Sequence, residues 1–241
     1  MERTSLVEIK KGETGTGLLI EHDAGFISSE YGDNKKLFED INSNIEKGEF
    51  NCPYPFVVSA VLQKFGIENA NGRIYPENVL KREAENYMQK IEEKRAIGEC
   101  NHPSEPTIDL SRVAINIIEM HWEGHTLVGK LEILTSPGFR KYGMITCQGD
   151  QVANLLLQGI KIGVSSRGVG SVEQKLGQYI VGDDFELICW DVVSDPSTSN
   201  AWVTTNGEEA LKPWLENTER KETNKDLISE KIHKIQNILK N

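Results

Sequence analysis

The feature that most constrains the fold is a pair of apolar, β-branched segments joined by a tight turn. Residues 113–122 and 126–134 flank Glu123 and Gly124, a pattern that predicts a β-hairpin. Further strands are predicted at residues 56–65, 178–181 and 185–193. Because strands outnumber helices and several are joined by hairpins, we expect a mixed sheet or barrel with helices packed outside, and not a doubly wound fold.

Two helices are predicted among these strands. Pro76 suits the first position of a helix that is expected to end near Arg95. Its apolar stripe is formed by Leu80, Ala84, Tyr87, Met88 and Ile91. In the second helix, Asp150 is expected to cap the N-terminus and Gly159 to follow the last turn. Residues 137–142, between these helices, are expected to form a loop.

The sequence predicts an irregular lead-in, a folded domain and a polar tail, at residues 1–50, 51–205 and 206–241. The lead-in can hold short strands at residues 6–9 and 17–20. Its polar stretch at 33–47 is predicted as a peripheral helix or a partly disordered arm. The tail is predicted as a polar linker followed by an amphipathic helix at residues 226–239.

Composition narrows the class of partner. With a formal net charge of −10, the chain is not expected to bind nucleic acid in general. No apolar run approaches the roughly 18 residues of a membrane span, and the N-terminus lacks the apolar segment of a signal peptide, so no membrane partner is expected. The cysteines are widely spaced, which favours reduced thiols in a cytoplasmic compartment. We expect no cofactor.

Residues 163–170 read Gly-Val-Ser-Ser-Arg-Gly-Val-Gly and combine paired hydroxyls, an arginine and several glycines. A serine such as Ser165 or Ser166 can attack a carbonyl once a base takes its proton, and it needs donors aimed at the oxyanion that forms. The glycines allow close backbone approach, and Arg167 adds fixed positive charge. The stretch could therefore supply a nucleophile and part of an oxyanion hole. The competing interpretation is a glycine-rich strand edge or turn.

A candidate base and a candidate carboxylate lie elsewhere in the chain. His102 lies between Asn101 and Pro103 in a loop after the first helix, where a catalytic base can be held. The alternative is a surface histidine that satisfies a turn. Asp191 interrupts an apolar strand, where a carboxylate is costly unless it is paired, although it could instead point outward from a half-buried strand. Asp195 in the following turn is the second choice.

A metal site is a separate hypothesis. Cys100 and His102, with His121 and His125 beside the hairpin turn, could form a Cys/His cluster for a metal-dependent hydrolase. A hairpin turn splays its two flanks, however, and spacing of this kind is common by chance. The interpretation without a metal is therefore favoured.

Three motifs together resemble those of a known family. They are Asn71-x-Arg73-x-Tyr75-Pro76, Gly98-Glu99-x-Asn101-His102-Pro103 and Gly163-Val164-Ser165-Ser166-Arg167-Gly168-x-Gly170. In this order they resemble the prohead core proteases of T-even-type tailed phages. Two further matches follow near the end, Asp195-Pro196-Ser197 and Ala201-Trp202-Val203. The resemblance covers roughly residues 56–203.

This family is similar to the herpesvirus assemblins. The resemblance implies an α+β, mainly β fold: a mostly antiparallel seven-stranded barrel surrounded by helices. It also implies a serine endopeptidase that cuts scaffold or core proteins and the major capsid protein during head maturation, inside the prohead in the host cytoplasm. Self-processing and self-association are further expectations. The competing hypothesis is a scaffold-associated head-assembly factor with little catalytic activity.

The resemblance also assigns site residues. It makes His102 the general base and Ser165, the first serine of its pair, the nucleophile. Assemblins use a second histidine about one strand after the serine, but here no histidine follows Ser165 before the polar tail. Asp191 lies at about that place, which implies a Ser-His-Asp arrangement. Arg167 and the N–H groups near Gly168 are the candidate oxyanion donors.

Cleavage after glutamate, with an apolar residue two positions earlier, is a further implication of the resemblance. A pocket for glutamate needs positive charge, which Arg73 or Arg167 could supply. Ile228-Ser229-Glu230 in the tail and Leu6-Val7-Glu8 in the lead-in have the required spacing. Both are therefore candidate sites of self-cleavage. The alternative, which is favoured for each site taken singly, is a solvated glutamate, and in the case of Glu230 one in a stable helix that a protease would first have to unwind.

Overall fold

The computed structural model describes residues 6–21, 25–27, 32–47, 50, 52–103 and 105–194. Over these residues the strands are β1 (Gly15–Ile20), β2 (Gly25–Ile27), β3 (Phe56–Lys64), β4 (Arg73–Ile74), β5 (Ile97–Glu99), β6 (Val113–Glu123), β7 (Thr126–Ile133), β8 (Ile162–Lys175), β9 (Gln178–Val181) and β10 (Glu186–Val193). The helices are α1 (Gly32–Glu46), α2 (Glu77–Glu92), α3 (Pro137–Tyr142) and α4 (Gln148–Leu157), and a 3₁₀ turn spans Leu110–Arg112. Within this part of the chain, no helix is long and apolar enough to cross a membrane.

The long strand β8 organises the larger sheet. It pairs antiparallel with β1 and β2 along one edge and with β10 and β9 along the other. The short strand β4 then joins β9 in parallel. Strand β8 is therefore an interior strand, and most of its side chains are buried. Residues 163–170 are thus part of an interior strand, and the turn of the competing interpretation is wrong.

The smaller sheet contains the predicted hairpin of residues 113–134. Its strand order is β3-β7-β6-β5, and all its pairs are antiparallel. The turn between β6 and β7 is formed by Gly124, with a φ of +59°, and His125. A positive φ is a conformation that glycine adopts without steric strain. The predicted hairpin is confirmed.

The closed seven-stranded barrel is not found, since over the described residues neither sheet closes on itself. The two sheets instead meet where β5 passes β10, through a parallel bridge between Cys100 and Val192. A longer ladder does not form because β5 has only three residues and the chain turns away at Asn101, whose φ is +66°. The chain is thus a mixed α+β fold of mostly antiparallel strands with few helices.

Helix α2 packs against β10 of the larger sheet and β6 of the smaller one, much as its apolar stripe predicts. Pro76 precedes its first turn, and Leu80, Ala84 and Tyr87 are buried. Met88 is 37% exposed and so lies at the margin of the stripe. The buried face of α2 also carries a charged side chain, Glu83, which the apolar pattern did not predict.

The region between β7 and α4 differs from the prediction. Residues 137–142, expected to be a loop, form α3, because the Ser136 hydroxyl accepts from the Phe139 N–H at 3.1 Å and Pro137 begins the first turn. Asp150 is not the N-cap of α4. It lies at the third helical position and accepts from the N–H of the N-cap residue Cys147 at 3.2 Å.

The N-terminal region contributes directly to the larger sheet. The strand expected at residues 17–20 is β1, and the helix expected at 33–47 is α1. The predicted turn at 195–197, the strand at 201–203 and the whole tail at 206–241 lie outside the described residues. The three-part division of the chain stays a prediction.

Candidate active site

The alternation of side chains along β8 separates the two serines. Ser165 lies opposite Asp191 in the register with β10, and Ser166 lies opposite Trp190. Residues directly opposite each other in an antiparallel pair share a face of the sheet. Ser165 therefore shares its face with Asp191, whereas Ser166 shares the other face with Trp190. Within the described residues, the Ser165 hydroxyl is buried and has no hydrogen-bond partner.

His102 is brought to this face by the end of β5. The left-handed conformation of Asn101, which asparagine tolerates better than most residues, reverses the chain just after the strand. The Asn101 N–H donates to the Val192 carbonyl at 2.7 Å, which ties the turn to β10. His102 Nδ1 then lies 2.8 Å from Asp191 Oδ2, with the imidazole side chain 5% exposed.

Asp191 is a fully buried carboxylate with several donors. Its Oδ1 accepts from the Glu99 N–H at 2.9 Å, and its Oδ2 lies 2.9 Å from Arg167 Nε in addition to the contact with His102. Burial by itself would raise the pKa of Asp191, but the hydrogen bond and charge of His102, the charge of Arg167 and the Glu99 N–H together lower it below its ordinary value. Asp191 is therefore held as an anion against the imidazole.

Arg167 lies beneath this carboxylate and does not face an open cleft. Its guanidinium is fully buried, with Nη2 3.2 Å from Glu99 Oε2 and Nη1 donating to the Glu105 carbonyl at 2.6 Å. A buried cation must be paired, and Glu99 and Asp191 supply the two anions. The role of Arg167 as an oxyanion donor stays a prediction, because its N–H groups are directed to Glu99, Asp191 and the Glu105 carbonyl.

Close packing leaves no room for a side chain at Gly168. A Cβ at this position would lie 2.4 Å from the Phe185 ring, and one at Gly170 would lie 2.8 Å from the Phe185 backbone. Gly168 also has strand neighbours on both sides, Leu19 in β1 and Leu187 in β10. The oxyanion role of the Gly168 N–H therefore also stays a prediction.

Arg73 belongs to a buried cluster around Glu21, a residue that sequence reasoning missed. Arg73 Nη1 lies 2.8 Å from Glu21 Oε1, the Tyr75 hydroxyl donates to the same oxygen at 2.5 Å, and Asn71 Nδ2 donates to Oε2 at 2.9 Å. The Glu21 N–H donates to the Ser166 carbonyl at 2.9 Å. The motif around Arg73 thus anchors β1 beside the strand that carries the serines.

The signal for Glu21 was a carboxylate directly after the apolar run Leu18-Leu19-Ile20, a position where an anion needs a partner. Because the guanidinium of Arg73 is already paired with Glu21, its role in binding a substrate glutamate stays a prediction. Asp195, the second choice for the carboxylate, lies outside the described residues.

The four residues of the hypothetical metal cluster lie in different surroundings. His102 contacts Asp191, whereas His121 Nε2 is 3.1 Å from Glu123 Oε1 on an exposed strand end and His125 packs against Phe65. In the part of the chain that the structure describes, no group of three or more His, Cys, Asp or Glu residues could hold a metal ion. The Cys/His cluster is therefore wrong.

Gly98 allows β5 to approach β10 closely enough to form the site. A Cβ at Gly98 would lie 1.9 Å from the Trp190 carbonyl oxygen, a backbone atom that cannot move aside cheaply. We expect Gly98→Ala to destabilise the protein by about 1–3 kcal/mol. We also expect it to lower activity, because it pushes Glu99 and His102 away from Asp191. Chemical denaturation measures the first effect, and the rate of the reaction carried out at the site, compared at matched folded fraction, measures the second.

Gly138→Ala is the matched control for Gly98→Ala. Gly138 lies in α3, and a Cβ there would make only ordinary contacts, at 3.8 Å from Met144 Cβ and Ser136 Oγ. It should leave stability unchanged or slightly increased, since alanine favours a helix over glycine. Equal stability of Gly98→Ala and the wild type would contradict the close-approach argument.

Comparison with known proteins relates the chain to phage proteases. Residues 18–210 match the family model for prohead core protein serine protease. The chain is 32% identical over 150 residues to the prohead core protein protease of Enterobacteria phage T4, covering 61% of this chain and 67% of that protein. Its fold is similar to the solved structure of the bacteriophage T4 capsid assembly protease, with a TM-score of 0.52 and 28% identity over 57% of this chain and 80% of that one.

Proposed function

The chain belongs to the prohead core protein serine protease family, and from this premise of a phage capsid-maturation protease we propose that Ser165, His102 and Asp191 form its catalytic triad. The observation that carries the proposal is the 2.8 Å contact of His102 Nδ1 with Asp191 Oδ2, on the strand pair in which Asp191 lies opposite Ser165. This arrangement supports Ser165 over Ser166, because Ser166 lies on the other face of β8.

The chemistry follows from the three side chains. Asp191 accepts a hydrogen bond from the Nδ1–H of His102, which leaves Nε2 unprotonated to act as the base. His102 Nε2 takes the hydroxyl proton of Ser165 as its oxygen attacks the peptide carbonyl, and then gives that proton to the leaving amine. In the second step His102 Nε2 takes a proton from water, the water oxygen attacks the acyl-enzyme ester, and the proton passes to the Ser165 oxygen as the C–O bond breaks and the acid product leaves.

The substrates we propose are the scaffold or core proteins and the major capsid protein of the prohead, cut after glutamate. The relatives named above support the prohead setting, and the glutamate preference rests on the family resemblance. Both candidate cations for the pocket, Arg73 and Arg167, are paired with protein carboxylates. A substrate glutamate would therefore have to displace Glu21 or Glu99 to bind either of them.

We expect the chain to process itself at the tail in preference to the lead-in. Glu230 lies in the predicted tail, where a polar linker lets a segment enter an extended cleft. The other candidate, Glu8, follows Val7, whose carbonyl accepts from the Leu18 N–H at 3.0 Å, so that segment must first leave β1. Intact mass after incubation should show a wild-type product ending at Glu230.

The control for self-processing is Ser165→Ala, which should keep its full mass. The same preparations are incubated with purified prohead core protein. An unchanged mass of the wild type, with the core protein still cut, would refute self-processing and leave the protease proposal intact. Failure to cut either substrate would count against the protease itself.

A further inference from the structure

Strand β10 carries an irregularity just before the site. Leu187 pairs with Gly168, but the next pair is Cys189 with Arg167, so Ile188 is an extra residue in the ladder. In a regular ladder continued from Leu187, Asp191 would lie opposite Val164, on the face that Ser165 does not occupy. The bulge therefore decides whether Asp191 shares a face with Ser165.

Two charged side chains of α2 hold the backbone of this bulge. Lys90 Nζ donates to the Ile188 carbonyl at 2.7 Å and lies 3.5 Å from the Leu187 carbonyl. Glu83 Oε2 accepts from the Leu187 N–H at 2.8 Å. Side chains from outside the sheet thus bind the carbonyls of Leu187 and Ile188 and the N–H of Leu187.

The same stripe of α2 also packs on the strand beyond the bulge. Glu83, Tyr87 and Lys90 are spaced by four and three residues and so line one helix face. The Tyr87 ring meets Trp190 edge to face, with centroids 4.8 Å apart, and Lys90 Nζ lies 4.8 Å from the Tyr87 centroid. Trp190 is the residue before Asp191, so the helix fixes β10 on both sides of Cys189.

We propose that Lys90 and Glu83 are positioning residues of the protease, which fix the register that sets Asp191 against His102 and opposite Ser165. This inference rests on the proposed triad. Neither side chain has a contact with the triad among the interactions found in the described residues. They act through the backbone of the Ile188 bulge and not through charge at the reacting atoms.

The test compares Lys90→Met with the matched control Lys81→Met. Both remove an ammonium from α2, but Lys81 is exposed and pairs with Glu77. Lys90→Met should lower kcat by about 100-fold with little change in KM, the size of effect expected when a catalytic group is misplaced by about 1 Å. Lys81→Met should match the wild type. Lys90→Arg, whose guanidinium can also donate to carbonyls, should restore part of the lost kcat.

A second measurement does not depend on proteolysis. In the Ser165→Ala background, the ¹⁵N-histidine spectrum reports the His102 Nδ1 proton shared with Asp191. We expect Lys90→Met to shift or broaden this signal and Lys81→Met to leave it unchanged. An unchanged signal and kcat in folded Lys90→Met would overturn the inference. If Lys90→Met does not fold, Lys90→Gln, which keeps a donor without the charge, is judged by the same two readouts.

The two proposals fail in different ways. A wild-type chain that cuts no substrate, yet loses the His102 signal on Lys90→Met, would contradict the protease assignment while supporting the register argument. A fully active Lys90→Met variant with an intact signal would contradict the register argument and leave the protease assignment standing.

Discussion

Ser165→Ala is expected to abolish proteolysis, while Ser166→Ala should keep a measurable part of the activity. Removing the nucleophile of a serine protease lowers kcat by roughly 10⁶-fold. The expectation rests on the two faces of β8, since Ser165 is opposite Asp191 and Ser166 is opposite Trp190. The Ser166 carbonyl accepts from the Glu21 N–H. This backbone hydrogen bond does not involve the Ser166 hydroxyl, so it is retained in Ser166→Ala.

The measurement is the initial rate of cleavage of a prohead core protein, with the melting temperature of each variant determined beside it. Both serines are buried, so similar small losses of stability are expected from either alanine. An inactive Ser166→Ala with an active Ser165→Ala would reverse the assignment. Inactivity of both variants at full folded fraction would show that the pair acts as a unit.

Much of the fold could be predicted because its signals are local. The alternating segments around Gly124 produced β6 and β7, and the stripe after Pro76 produced α2. Even the missed helix α3 had a local signal, a serine N-cap followed by a proline at residues 136–137. Barrel closure had no such signal, because it depends on whether β5 and β10 form a ladder or a single bridge.

The candidate site could likewise be predicted only in part from the sequence. Ser165, His102 and Asp191 could be proposed from motif order and the resemblance, and the structure brings His102 to Asp191. The surroundings of Asp191 could not be predicted, because the Glu99 N–H that binds it lies 92 residues away in the chain. The prediction that Arg167 faces substrate rests only on its positive charge. That charge does not reveal the buried carboxylates of Glu99 and Asp191 with which Arg167 pairs.

Glycines were the least predictable part of the motifs. Their conformational freedom suggested close approach of backbone to a ligand, whereas Gly98 and Gly168 allow close approach of β5 to β10 and of Phe185 to β8. Both explanations use the missing Cβ. Only the three-dimensional neighbours distinguish a glycine that admits a ligand from one that admits another part of the same chain.

Asp191→Asn should keep the fold but lower turnover by about 10⁴-fold, the loss observed when the carboxylate of a Ser-His-Asp triad becomes an amide. An asparagine side chain has nearly the same shape, but it cannot accept from the Glu99 N–H, Arg167 and His102 together. Whichever way the amide is turned, its NH₂ group faces a donor. The imidazole then loses both its orienting anion and the stabilisation of its charged form.

Asp195→Asn is the control, because Asp195 was the other candidate carboxylate four positions further along. It should change kcat far less than Asp191→Asn. Neutralising Asp191 leaves Arg167 with Glu99 as its remaining carboxylate partner, so some loss of stability is expected. The rates are therefore compared at equal folded fraction.

The pKa of Asp191 is lowered in the folded protein, so its carboxylate also stabilises the fold at pH values above the ordinary pKa of an aspartate. That contribution is lost as the pH falls through the lowered pKa. The difference in the free energy of unfolding between the wild type and Asp191→Asn should therefore become smaller as the pH becomes acidic. Near-normal turnover of the variant would exclude Asp191 from the triad.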